Sequence, residues 1–115
     1  MKSLRNSVQL IGNIGNDIKF QTLDSGTSLA KFPLATSEYY RNNKGEKVQE
    51  TQWHNIVAWG KTAEYINQSL KKGQQVALKG QIKYNSYDAK DGIKRYTCDI
   101  VCNEFIKLTK EQAAF

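Results

Sequence analysis

The sequence is poor in residues that break, cross-link or coordinate. One proline in 115 residues leaves a single position at which a strand ladder must lack a donor. No apolar run approaches ~20 residues, which excludes a membrane-spanning helix. The N-terminal MKSLRNSVQ lacks the apolar centre of a signal peptide, so the expected compartment is the cytoplasm. The two cysteines, Cys98 and Cys102, are four residues apart, ~13 Å along a strand. That is too far for a disulfide, and they are expected to be small buried residues in a reducing compartment. One histidine and no third cysteine leave no zinc set, so neither metal nor cofactor is expected. A Gly-rich phosphate loop, a Gly-x-Ser-x-Gly elbow and a His-x-x-His pair are all missing. The acids are scattered, many of them in turns (Asp17, Asp24, Asp88, Asp91). Nothing supports an enzyme.

What is present is positive charge and aromatic rings. Lys and Arg number 17 against 11 Asp and Glu, giving +6 and a pI near 9.3. The excess favours anionic partners, nucleic acid ahead of a membrane surface. The length suits one domain with one modest core.

Most of the chain alternates with period two, as strands do. Residues 6–14, 19–23, 28–40, 50–59, 75–87 and 93–108 read as strands, with 19–23 short. Pro33 suggests an edge or a bulge. Segments 41–48 and 88–92 are polar and contain glycine, as hairpin loops do. Residues 61–72 are the only helical stretch. Thr62 is its expected N-cap, Ala63, Ile66 and Leu70 its apolar stripe, and Gly73 its C-terminal stop. Strands without alternating helices exclude a parallel α/β sheet. The expected fold is all-β: an OB-fold, a five-stranded Greek-key barrel with one short helix between strands three and four.

Residues 51–60, TQWHNIVAWG, hold both tryptophans. On a strand, Trp53, Asn55, Val57 and Trp59 share one face, while His54, Ile56 and Ala58 share the other. The second reads as a core face. Tryptophan is also an ordinary core residue. Here two indoles lie ~20 Å apart on the non-core face, as separate platforms would. Tyr39, Tyr40, Tyr84, Tyr87 and Tyr96 lie on or beside other strands, interleaved with Lys31, Arg41, Lys44, Lys47, Lys61, Lys72, Lys79 and Lys83. Aromatic faces stack bases without reading them, and a basic groove follows the phosphates of a single strand. Duplex readers instead aim a helix or ribbon at base edges, and the one helix here offers few groups for that.

Five segments, LIGNIGND (10–17), LATSEYYR (34–41), ETQWHNIVAWGKTAE (50–64), LKKGQQVALKGQI (70–82) and RYTCDIV (95–101), resemble the bacterial single-stranded DNA-binding protein family in order and spacing. The resemblance runs from about residue 5 to residue 108. It implies an OB-fold, homotetramers, and binding of single-stranded DNA without sequence specificity in replication, recombination and repair. It implies base stacking at Tyr40, Trp53, Trp59 and Tyr87, basic contacts at Lys61, Lys72 and Lys83, and a subunit-interface position for His54. Relatives carry basic residues where this chain has Asn55, Asn85 and Ser86, and Tyr84 is expected to add a stacking surface in their place. Residues 109–115, TKEQAAF, are expected to be a short tail without the family's flexible linker and acidic tip. That puts recruitment of replication and repair proteins through such a tip in doubt. Two other readings compete: a related module whose main task is protein interaction, and an RNA-binding protein, although no device for detecting a 2′-OH is evident.

Overall fold

The computed structural model describes residues 2–108, and the expected tail at 109–115 lies outside them. One helical turn, α1 (Lys2–Arg5), precedes β1 (Val8–Ile14), β2 (Lys19–Thr22), β3 (Ser28–Arg41), β4 (Lys47–Trp59), α2 (Gly60–Ser69), β5 (Gln75–Asp88) and β6 (Lys94–Leu108). The sheet order is β1-β5-β6-β4-β3-β2, and a β1–β3 pairing at Asn13–Ala35 and Ile14–Leu34 closes it into a barrel. All neighbours are antiparallel except β4 and β6. Leaving out the four-residue β2, the helix falls between the third and fourth long strands, as expected.

The core is built from one face of each long strand, and the exposed β2 adds nothing to it. Ala30, Phe32 and Leu34 of β3, Ile56 and Ala58 of β4, Val76 and Leu78 of β5, and Ile100 and Cys102 of β6 are buried together. Ile14 and the α2 stripe Ala63 and Ile66, with Leu70, complete the core. Period-two alternation accounts for this selection, because a strand can bury only every second side chain in a barrel with one solvated face.

Pro33 is neither at a sheet edge nor at a bulge. Its pairing with Asn55 lies inside an unbroken β3–β4 register. On its other side β3 changes partner, from β2 up to Lys31 to β1 from Leu34. The Pro33 carbonyl accepts the Gly15 N–H at 2.9 Å on that side. The missing donor therefore falls at the handover, on the side where the β1–β3 pairing ends.

The helix differs from its expected limits. Its N-cap is Trp59, with no side-chain capping bond, and Thr62 lies inside the first turn. Strand runs into helix without a linker, so the backbone bend at Gly60 sets the start. The helix ends at Ser69 because Leu70 turns extended to bury its side chain. Gly73 is thus not the helix stop. It occupies a separate 71–74 turn with φ +89° and donates its N–H to the Ile14 carbonyl at 2.8 Å.

Cys98 also departs from expectation. Cys102 is buried, and that burial pushes its thiol up to about 11. Cys98 is exposed, because the first half of β6 has left the barrel and nothing covers its inner face. Asn6 extends the β1–β5 ladder beyond its Val8–Gly80 rung. Its amide donates to the Ile82 carbonyl and accepts the Ile82 N–H, both at 2.9 Å.

Candidate nucleic-acid interface

Residues opposite each other in a ladder share a face, so the register shows which side chains converge. Trp53, Asn55, Val57 and Trp59 stand on one face of β4. Opposite them on β3 are Ala35, Pro33, Lys31 and Leu29. Across the parallel pair, Asn55 meets Asp99 and Val57 meets Val101. Beyond β6, Lys83 pairs with Asp99, Asn85 with Thr97 and Tyr87 with Arg95. One continuous outer face therefore carries both indoles, Lys31, Lys83 and Tyr87. Trp53 is 63% exposed and Trp59 46%, so neither is a core residue. The opposite face of β4 behaves as the alternation predicts, with Ile56 and Ala58 buried.

Two adjoining grooves run along this face. One lies between β3 and β5, lined by Leu29, Lys31, Val57, Trp59, Lys83 and Asp99 among others. The other continues toward the β1–β2 turn, past Pro33, Asn55, Asn16, Asp17 and Lys19. Lys31 and Asp99 line both. Val57 is buried on the outer face, where it forms an apolar floor. Each indole is set on the barrel rather than held within it. A Cβ on Gly15 would run into the six-membered ring of Trp53, so Gly15 is the seat for that ring.

Lys61 and Lys72 are exposed, and neither lines these grooves. Lys61 follows Trp59 in the first turn of α2. Lys72 precedes Gly73, in the turn bonded to Ile14. The remaining candidates fall elsewhere. Tyr40 pairs with Val48 and Tyr84 with Cys98. The register puts both on the outward continuation of the core face. Tyr84 is 75% exposed there, with Tyr96 one rung away. The tyrosine that shares the indole side of β3 is Tyr39, with the Lys47 ammonium 4.7 Å from its ring centroid.

Gly15 is not among the contact residues named from the sequence. Lys31 and Tyr39 are named there among the interleaved cations and rings, and parity puts both on the indole face, Lys31 because it alternates with the core residues Ala30 and Phe32. Gly15 had no local signal, because its role depends on a ring 38 residues away in sequence.

His54 is half-buried, and its Nε2 lies 2.9 Å from the Thr36 hydroxyl. The pair stands just beyond the point where β1 and β3 part. Among the described residues, no group of three or more His, Cys, Asp or Glu could hold a metal ion. No helix among them is long and apolar enough to cross a membrane.

The domain is thus a closed barrel of the OB type with two exposed indoles on one strand face beside a lysine-flanked groove. Residues 5–108 match the Single-strand binding protein family, and the chain belongs to that family. It is 45% identical over 100 residues to Single-stranded DNA-binding protein 1 of Chlorobaculum tepidum, covering 86% of this chain and 62% of that protein. It is 43% identical over 99 residues to the Single-stranded DNA-binding protein of Neisseria meningitidis serogroup A, covering 86% and 57%. The chain thus spans about three-fifths of the length of these relatives. Among solved structures, the Plasmodium falciparum SSB in complex with ssDNA superposes with a TM-score of 0.85 at 27% identity. That match covers 90% of this chain and 95% of the other.

Proposed function

We propose that the protein binds and protects single-stranded DNA without sequence specificity. The observation that carries this reading is the placement of both tryptophans, exposed on one strand face, with Trp59 lining a groove that has Lys31 and Lys83 on its two sides. In this reading Trp53, Trp59 and Tyr87 stack bases while Lys31, Lys61, Lys72 and Lys83 follow the phosphates. Tyr40 and Tyr84 extend the stacking surface around the far sides of the two outer hairpins. The role would be to coat strands exposed in replication, recombination and repair, in the cytoplasm and on the nucleoid. The names of the relatives and the ssDNA-bound neighbour support it.

Self-assembly, expected to reach a homotetramer, belongs to the same proposal. Ile11, Ala77 and Ile106 form an outward row across β1, β5 and β6, with both isoleucines exposed. An apolar row of this kind is more often covered than left in water. Beside it, the half of β1 before Asn13 has no ladder partner on its β3 side, and an open edge favours pairing with another strand. The His54–Thr36 pair adjoins that edge.

The test is a tryptophan-fluorescence titration with oligo(dT), a duplex and the RNA counterpart at two salt concentrations. Strong quenching by oligo(dT), little by duplex, and weaker binding at high salt are expected. Absence of quenching at low salt would instead favour the protein-interaction reading. Sedimentation of the wild type and of Ile106→Glu tests assembly, with the variant expected to be smaller.

A further inference from the structure

The groove contains a carboxylate where phosphate-binding chemistry has no use for one. Asp99 lines both grooves and is half-buried between Asn55 of β4 and Lys83 of β5, its two register partners. Its Oδ2 accepts a hydrogen bond from the Asn85 amide at 3.1 Å. Its Oδ1 has no hydrogen-bond partner among the described residues, and neither Lys83 nor Lys31 forms an ion pair with it there. Asn55 and Asp99 thus lie side by side on the floor between β3 and β5, and Asn85, next to Lys83 on the β5 flank, extends them into a polar row.

We propose that Asp99 sets a base preference within otherwise unspecific binding, by accepting hydrogen bonds from exocyclic amines and disfavouring thymine. This rests on the single-strand-binding reading above. A phosphate cannot lie against an unneutralised carboxylate at short range, so the backbone follows Lys31 and Lys83 on the flanks. Base edges then pass over the row. In a single strand the Watson–Crick edge is free. The N4 amine of cytosine donates to a carboxylate oxygen. Thymine turns two carbonyl oxygens toward the same site, on either side of its one imino N–H, and is repelled. Ordinary stacking grooves derive their modest preferences from stacking strength and backbone flexibility. A preference that depends on one acidic side chain is a different mechanism and separates cleanly.

The experiment compares wild type with Asp99→Asn in titrations with oligo(dC) and oligo(dT) of equal length, at one salt concentration. Asparagine keeps the shape and the acceptor for Asn85 while removing the charge. Stacking differences between the two oligonucleotides cancel when the variant's affinity ratio is divided by that of wild type. The dC-to-dT affinity ratio is expected to fall by about fivefold, the lower end of what one such pair discriminates, mostly through tighter oligo(dT) binding. Asp99→Ser serves as the second variant should the first fail to fold. An equal rise for both oligonucleotides would reduce Asp99 to a general repulsive charge and overturn the inference. So would no change. Failure of the wild type to bind either oligonucleotide would overturn the function itself, an outcome distinct from both.

Discussion

The long strands have two halves that behave differently. In the barrel half of β3, Ser28–Leu34, burial dominates: Ser28, Leu29, Ala30, Phe32 and Leu34 are buried, and Lys31 is the exposed residue among them. From Ser37 to Arg41 the same strand is exposed on both faces. β5 repeats the change, with Val76, Leu78 and Gly80 buried and 83–88 exposed throughout. The outer halves of β3–β4 and β5–β6 stand away from the barrel as two-stranded arms and help give the molecule a long axis of 53 Å. The covalent pattern is continuous across the change. What ends is the layer beneath, since a second face is buried only where α2 or another strand lies over it. The barrel half holds the buried apolar side chains, and the outer half and the indole face hold exposed rings and charges.

Substitutions should split along that line. The largest effect is expected from Ile56→Ala in the barrel, which removes a fully buried side chain and should cost ~2–5 kcal/mol in urea denaturation. Tyr96→Ala in the arm should change the same measurement by less than about 0.5 kcal/mol. An arm substitution as damaging as Ile56→Ala would mean that the arms are part of the folding unit. Next, Trp53→Ala and Trp59→Ala should each weaken oligo(dT) binding by ~1–3 kcal/mol while the thermal midpoint holds. Gly15→Ala leaves both indoles present but pushes Trp53 off its seat. Its binding should fall toward that of Trp53→Ala, and wild-type affinity in this variant would show that the seat does not matter. Lys31→Ala should weaken binding alike for all sequences and reduce the salt slope by about 0.7, the share of one single-strand phosphate. The smallest loss is expected from Tyr84→Ala, on the far side of its arm, at under about 1 kcal/mol of binding.

Much of this was legible in the residues. Alternation in TQWHNIVAWG separated the indole face from the core face, and the buried Ile56 and Ala58 agree. The order of strands and the single helix gave the barrel. Less legible were the ends of elements. Thr62 and Gly73 carried ordinary capping chemistry, yet the helix was set by Gly60 and by the burial of Leu70, which are demands of the barrel. Cys98 shares its strand parity with Ile100 and Cys102, and parity says which face a residue is on but not whether anything covers it. Parity does separate Tyr40 and Tyr84 from the indole face: they are as aromatic as Tyr87, but Tyr40 alternates in step with Ala30 and Phe32, and Tyr84 with Val76 and Leu78.

By itself the sequence determined the local terms: which segments are strands, which face of each is apolar, and that cations and rings are interleaved along them. These follow from period, propensity and charge, which act over a few residues. The tertiary structure alone decided that Lys31, Lys83 and Asp99 from three strands meet beside Trp59, that Gly15 seats Trp53, and where the barrel gives way to the arms. Those outcomes depend on register between strands and on what lies beneath each face, and both are fixed only when segments distant in sequence pack together.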